Sequence, residues 1–187
     1  METSPLRNAV RILDALDSLL QNPVELTLYG RAALYLGFPD PPEEYAWSRD
    51  IDAVLWTGQA EELNEKTNFW DAVDKVNRAM AGDDLYISHF FEEDQVILRP
   101  QWKQERVKIP GPWKKLVLYR LGDLDLLLSK LMRDDPIDQA DARFIVSRAG
   151  LTREQIEQAI RSARVPNIPE IFEQFQRASQ RLLASIS

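Results

Sequence analysis

The chain has 187 residues, of which 44% are hydrophobic and 28% charged, the balance of an ordinary globular protein. It has no cysteine, which excludes a disulfide, a thiolate metal site and a cysteine nucleophile. The net charge of −7 argues against tight, non-specific binding of nucleic acid, which needs basic surface.

No apolar run approaches the ~20 residues that a bilayer-spanning helix needs. The first five residues, METSP, lack the basic and apolar regions of a signal peptide. We therefore expect a cytoplasmic protein with no membrane partner. The length favours one domain, or one core with a helical appendage.

The chain opens with a predicted helix and a strand–glycine–helix pattern. Ser4 followed by Pro5 is typical of a helix start, and the helix ends before residue 22. Residues 24–29 alternate like a strand, and a helix is predicted directly after Gly30. The first N–H groups of a helix are free to bind anions, so we expect Gly30, Arg31 and Ala32 to form a cradle for phosphate.

The next predicted strand begins at Asp50 and carries two carboxylates. Side chains alternate along a strand, so Asp50 and Asp52 point the same way and lie close together. Two such carboxylates repel each other, and a divalent cation relieves that repulsion. A phosphate-binding turn beside a Mg²⁺ (or Mn²⁺) site is the arrangement that enzymes of phosphoryl or nucleotidyl transfer use.

The loop over residues 37–47 is rich in proline, which precludes regular structure up to Pro42. Because it directly precedes Asp50, we expect it to border the active cleft. Tyr45 or Trp47 would either stack on a nucleobase or cover the sheet edge, and we favour the second interpretation because aromatic side chains mostly bury area.

The middle of the chain reads as two helices, at residues 59–66 and about 67–82, and then strands with turns between them. The strands are predicted at 85–91, 95–98, 106–109 and 116–119, in a mixed or antiparallel sheet. The acidic residues 92–94 read as a solvated turn rather than as a third metal-binding carboxylate. His89 is interpreted as a half-buried structural residue rather than a general base, because Ile87, Phe90 and Phe91 surround it in sequence.

A group of basic residues alternates with tryptophans between residues 102 and 115. Such a pattern either contacts the backbone and bases of a nucleic acid or belongs to a charged hairpin whose indoles fold onto the core. We favour the hairpin, yet this is the best local candidate for contact with RNA. Its members are Trp102, Lys103, Arg106, Lys108, Trp113, Lys114 and Lys115.

Helices are predicted from residue 123 to the end of the chain. In the first, at 123–133, leucines at helical spacing face the core, whereas Lys130 lies off that stripe and is expected to reach outward to a cleft or phosphate. Asp138 and Asp141 share one face of the next helix, one turn apart. Two interpretations stay open for Lys130, Asp138 and Asp141: an ion pair that joins the two helices, and a catalytic role. The last two helices are amphipathic, and either pack on the core or form a homodimer face.

The order of these motifs resembles the nucleotidyltransferase superfamily typified by DNA polymerase β. The likeness lies in a glycine after a strand, a helix, and then Asp-x-Asp, here Asp50 and Asp52, on the next strand. Arg31 stands where that superfamily commonly has a second Gly or Ser. Residues 124–133 and 137–141 are similar to the later Ser-Lys-Leu…Asp-x-x-Asp segment of bacterial minimal nucleotidyltransferases, including toxin-like members of abortive-infection systems. Together the two segments span about residues 24–150.

The resemblance implies an α+β fold, with a nucleotidyltransferase-like core at residues 1–122 and a helical region at 123–187 packed on it. It implies catalytic roles for Asp50, Asp52, Lys130, Asp138 and Asp141, with the first two as metal ligands. The implied reaction transfers a nucleoside monophosphate from a nucleoside triphosphate to an acceptor, which is RNA, a protein or a small molecule.

Two other hypotheses stay open. In one, the fold has lost catalysis and works as a nucleotide-binding or regulatory module, as Arg31 and the lack of an acidic residue inside a later strand suggest. In the other, the chain is a helix-rich interaction protein in which Asp50 and Asp52 are merely exposed.

Overall fold

The computed structural model describes residues 7–186, so the helix start expected at Ser4 and Pro5 lies outside the described residues. The chain divides into two compact units. The sheet unit comprises the residues up to Phe90 together with Val107–Arg120, and the helical unit comprises Phe91–Arg106 and the residues from Leu121 onward. The third transition between the units along the chain, between residues 120 and 121, lies beside the boundary predicted at 122. Residues 91–106, assigned by the sequence to the first region, belong to the helical unit.

The sheet unit contains a five-stranded mixed sheet in the order β3-β2-β1-β5-β4. β1 pairs antiparallel with β2 and parallel with β5, and β4 pairs antiparallel with β5. Its inner strands are apolar enough to be buried, as Leu26, Leu28 and Ile51 illustrate with 0% exposure. The strands are β1 (Val24–Tyr29), β2 (Asp50–Leu55), β3 (Tyr86–Glu92), β4 (Val107–Lys108) and β5 (Leu116–Arg120).

Within the described part of the sheet unit, which begins at Arg7, four α-helices accompany this sheet. The first buries Ala9, Ile12, Leu13 and Leu16, which recur at the helical period and form one apolar face. A short 3₁₀ helix, Glu43–Trp47, precedes β2. The helices are α1 (Asn8–Leu19), α2 (Gly30–Gly37), α3 (Gln59–Lys66) and α4 (Phe69–Met80).

Up to residue 186, the helical unit contains four further α-helices, with α5 beside α6 and α7, and α6 beside α8. Asp135 caps α6 by accepting a hydrogen bond from the amide of Asp138, and Pro136 occupies its first turn. Thr152 and Gln155 form the predicted capping box of α7. The helices are α5 (Asp123–Lys130), α6 (Pro136–Ala149), α7 (Arg153–Ser162) and α8 (Pro169–Ser185).

Two sequence predictions in this unit are wrong. Residues 95–98 form no strand, and only Leu98 makes an isolated bridge, with Arg164. Val96, Ile97 and Leu98 are buried all the same, so their apolar run reflects burial rather than strand pairing. The first helix ends at Lys130 rather than 133 and is buried along its whole length after Leu124. The α+β class and the mixed sheet are confirmed.

No helix among residues 7–186 is long and apolar enough to cross a membrane.

Candidate functional site

Asp50 and Asp52 lie on the same face of β2, as their spacing predicts. The residues between and after them, Ile51 and Ala53, are fully buried on the other face, while both aspartates keep partial exposure. One carboxylate oxygen of each and one ring nitrogen of His89 all lie within 4.8 Å of one another. We call Asp50, Asp52 and His89 the carboxylate–imidazole cluster.

Gly30 lies against this cluster. Tyr29, the residue before it, is the register partner of Asp52 in the β1–β2 ladder, so the start of α2 adjoins Asp52. Gly30 has φ +72°, and a Cβ at this position would lie 3.0 Å from Asp52 Oδ2. Both the backbone conformation and the lack of space call for glycine.

The first turn of α2 is therefore adjacent to the cluster. Its N-cap residue, Tyr29, makes no side-chain capping hydrogen bond. The phosphate-binding residues predicted from the sequence, Gly30, Arg31 and Ala32, form the start of this helix. Ala32 is buried, and the Arg31 guanidinium lies over the ring of Tyr45, 5.1 Å from its centroid.

Asp52 has two polar side-chain neighbours on β3. Ser88 Oγ donates to Asp52 Oδ1 over 3.2 Å, and His89 Nδ1 lies 3.0 Å from the same oxygen. Burial and the neighbouring Asp50 carboxylate raise the pKa of Asp52 above its usual range, although the contacts with His89 and Ser88 oppose this. The contacts with His89 and Ser88 therefore do not fully offset the cost of burying the negative charge of Asp52 beside Asp50.

Asp50 is held from its own strand end. Ser48 Oγ donates to Asp50 Oδ1 over 3.1 Å and lies 3.5 Å from the backbone oxygen of the same residue. The serine two residues upstream therefore orients the outer carboxylate.

His89 differs from its sequence interpretation. It lies on β3 as expected, but its side chain is 56% exposed rather than half-buried. β3 is an edge strand beside β2, so a side chain on it reaches the Asp-bearing strand. Two features of the sequence could have indicated that His89 lies beside the aspartates: it is the single histidine, and it lies on a predicted strand after Asp-x-Asp. Its apolar neighbours in sequence favoured the structural interpretation instead.

The cluster fits a divalent cation in its donor chemistry. Carboxylate oxygens suit Mg²⁺ and Mn²⁺, and an imidazole nitrogen suits first-row transition ions. No lysine or arginine of residues 7–186 forms an ion pair with Asp50 or Asp52. The excess negative charge on rigid strands is what a cation would neutralise.

Lys130, Asp138 and Asp141 come together within the helical unit. Lys130 Nζ lies 2.8 Å from Asp141 Oδ2 and 3.2 Å from Asp138 Oδ1. All three side chains are less than 10% exposed, and Arg133 adds a 2.8 Å contact to Asp138 Oδ2. The expectation that Lys130 reaches outward is wrong, because both neighbouring carboxylates hold its ammonium group inside the unit. The geometry is that of the ion pair between helices, and a catalytic role for these residues stays a prediction.

Of the other candidate aromatic residues, Trp102 and Trp113 have side-chain hydrogen bonds to acidic residues. Tyr45 is buried, whereas Trp47 is 47% exposed. Trp102 is buried and its indole donates to Glu93, and the Trp113 indole donates to Asp14. Of the acidic segment at 92–94, Glu92 is the last residue of β3, and Glu93 and Asp94 form the predicted turn.

The chain matches no protein-family model, no curated protein and no solved structure at a significant level.

Proposed function

We propose that the chain is a metal-dependent nucleotidyltransferase with a fold of the DNA polymerase β-like superfamily. It transfers a nucleoside monophosphate from a nucleoside triphosphate to an acceptor hydroxyl or amine on RNA, a protein or a small molecule. In this reaction the acceptor atom bonds to the α-phosphorus, the bond from that phosphorus to the bridging oxygen breaks, and pyrophosphate leaves. The proton of the acceptor passes to solvent.

One observation carries the proposal: the glycine that opens α2 lies so near Asp52 that a Cβ on it would be 3.0 Å from Asp52 Oδ2, beside Asp50. A helix start able to bind phosphate and a pair of carboxylates able to bind a cation thus meet within a few ångströms. In separate places, either feature would be unremarkable. Their proximity supports a polyphosphate ligand bound together with a cation.

The predicted site residues of the sheet unit then each have a role in binding the nucleotide or the cation. Asp50 and Asp52 hold the cation, and the amides at Gly30, Arg31 and Ala32 bind the triphosphate. When bound, the cation neutralises phosphate charge and activates the attacking oxygen. Ser48 and Ser88 orient the two carboxylates through their hydrogen bonds.

The test is calorimetric titration of the whole chain with a non-hydrolysable nucleoside triphosphate analogue, with and without Mg²⁺ or Mn²⁺. We expect binding that requires the cation and that Asp52→Asn abolishes. The matched control is Asp74→Asn, which removes a carboxylate that is 75% exposed on α4 and should leave binding intact. Absence of nucleotide binding to the unaltered chain would refute the proposal.

A second function, nucleotide binding without catalysis, is favoured by two observations. The third member of the cluster is an imidazole rather than a carboxylate, and Arg31 occupies the position where a small residue is common. Nucleotide binding that needs no cation and survives Asp52→Asn would identify this binding module instead of the enzyme.

A further inference from the structure

Three donors of two chemical kinds meet between neighbouring strands of the sheet unit. β2 contributes the oxygens of Asp50 and Asp52, and β3 contributes a ring nitrogen of His89, all within 4.8 Å of one another. Strand backbones hold such side chains more rigidly than a loop does. The three donors therefore surround one small volume.

The charge balance of Asp52 differs from that of other poorly exposed carboxylates in the chain. Asp125 Oδ2 lies 2.7 Å from Arg99, and Asp138 and Asp141 both meet Lys130. Asp52, whose side chain is only 19% exposed, meets Ser88 and His89, and it lies beside the carboxylate of Asp50. A poorly solvated carboxylate that lacks a lysine or arginine and has a second carboxylate beside it calls for another cation.

We propose that His89 is the third ligand of this cation, so that the site binds Mn²⁺ in preference to Mg²⁺. Mg²⁺ favours an all-oxygen shell, whereas an imidazole nitrogen increases the affinity for first-row transition ions. The contact between His89 Nδ1 and Asp52 Oδ1 places the ring beside the carboxylate that would share the ion. The use of the ion in nucleotidyl transfer rests on the proposed function, but its ligation by His89 does not.

The experiment uses the full chain without nucleotide. Mn²⁺ affinity is measured by electron paramagnetic resonance, Mg²⁺ affinity by competition, and ¹⁴N coupling to bound Mn²⁺ by electron spin-echo spectroscopy. The chain has a single histidine, so an imidazole coupling arises from His89 alone. The variants are His89→Ala, His89→Asp and the control Asp74→Asn, and thermal unfolding verifies that each is folded.

We expect the unaltered chain to show the ¹⁴N coupling and to bind Mn²⁺ more tightly than Mg²⁺. His89→Ala should lose the coupling and bind Mn²⁺ about tenfold more weakly or worse, since even outer-shell changes cost that much. His89→Asp, with three carboxylates, should narrow the Mn²⁺-to-Mg²⁺ affinity ratio by about tenfold, and Asp74→Asn should match the unaltered chain.

Bound Mn²⁺ without ¹⁴N coupling, an unchanged affinity in His89→Ala, or no Mn²⁺ binding at all would each overturn the inference. Failure of the proposed function has a different signature. In that case the chain binds Mn²⁺ with the coupling present, yet no nucleoside triphosphate binds beside it.

Discussion

Gly30 lies so close to Asp52 at the junction of β1 and α2 that a Cβ on the glycine would be 3.0 Å from Asp52 Oδ2. Gly58 provides a comparison, because it has a similar φ of +85° but no heavy atom within 4 Å of its would-be Cβ. Substitutions at the two glycines can therefore distinguish the effect of backbone strain, which both positions share, from the effect of crowding against Asp52, which only Gly30 has.

We predict that Gly30→Ala and Gly58→Ala both destabilise the fold by about 1–2 kcal/mol, because alanine resists positive φ. Only Gly30→Ala should also weaken Mn²⁺ binding, since its methyl group displaces Asp52. Urea unfolding and metal titration measure the two effects. Equal loss of metal affinity in both variants would show that crowding at Asp52 is unimportant.

Asp50→Asn should raise the stability of the metal-free chain. The substitution removes the charge that helps to raise the pKa of Asp52, and its side-chain oxygen still accepts from Ser48. We expect a higher melting temperature in chelator at low ionic strength, and a smaller gain in high salt, which screens the repulsion. With Mn²⁺ present the order should reverse. An unchanged or lower midpoint in chelator would argue against close pairing of the carboxylates.

The buried ion-pair cluster around Lys130 should dominate the stability of the helical unit. Lys130→Met leaves Asp138 and Asp141 buried without their shared ammonium group, and we expect a loss of about 3–5 kcal/mol. Lys66→Met is the control, because the Lys66–Glu62 pair has a comparable 2.9 Å separation on an exposed helix surface. It should leave the free energy of unfolding nearly unchanged.

Chemical denaturation at neutral pH gives both values. Similar effects of the two substitutions would mean that the carboxylates near Lys130 are hydrated in the folded chain.

Asp17 gives a pH-dependent prediction. Partial burial would raise its pKa, but hydrogen bonds from the amides of Lys114, Leu116 and Lys115 outweigh this and hold the pKa below its usual range. A lowered pKa in the folded state stabilises the fold above the unfolded-state pKa, and this contribution is lost as the pH falls through the folded-state pKa.

Asp17→Asn should therefore cost about 1 kcal/mol at pH 7, a modest value because solvent screens the site. The difference from the unaltered chain should close as the medium is acidified below the usual aspartate pKa. Urea unfolding of both proteins between pH 7 and pH 3 measures this difference in the free energy of unfolding. A gap that stays constant over this range would show that the negative charge of Asp17 does not strengthen the three hydrogen bonds.

Local chemistry made much of this fold predictable. The caps of α6 and α7, the period-two pattern that puts Asp50 and Asp52 on one face, and the strand–glycine–helix order all depend on residues close in sequence. Capping boxes and strand alternation need no knowledge of distant contacts.

The errors arise where distant contacts decide. His89 has apolar neighbours in sequence, yet its exposure depends on β3 being the edge strand. Lys130 lies off the leucine stripe, yet two carboxylates from α6 allow it to be buried. Residues 95–98 are apolar enough for a strand, but the helical unit buries them without a partner ladder.

The path of the chain between its two units also bears on its synthesis. Arg99 belongs to the first segment that joins the helical unit and Asp125 to the second, with all of β4 and β5 made in between. During synthesis, Arg99 can pair with Asp125 only after the intervening β4 and β5 have emerged from the ribosome. A fragment that stops near residue 122 would keep Arg99 but lack Asp125, and would therefore leave this guanidinium without its buried carboxylate partner.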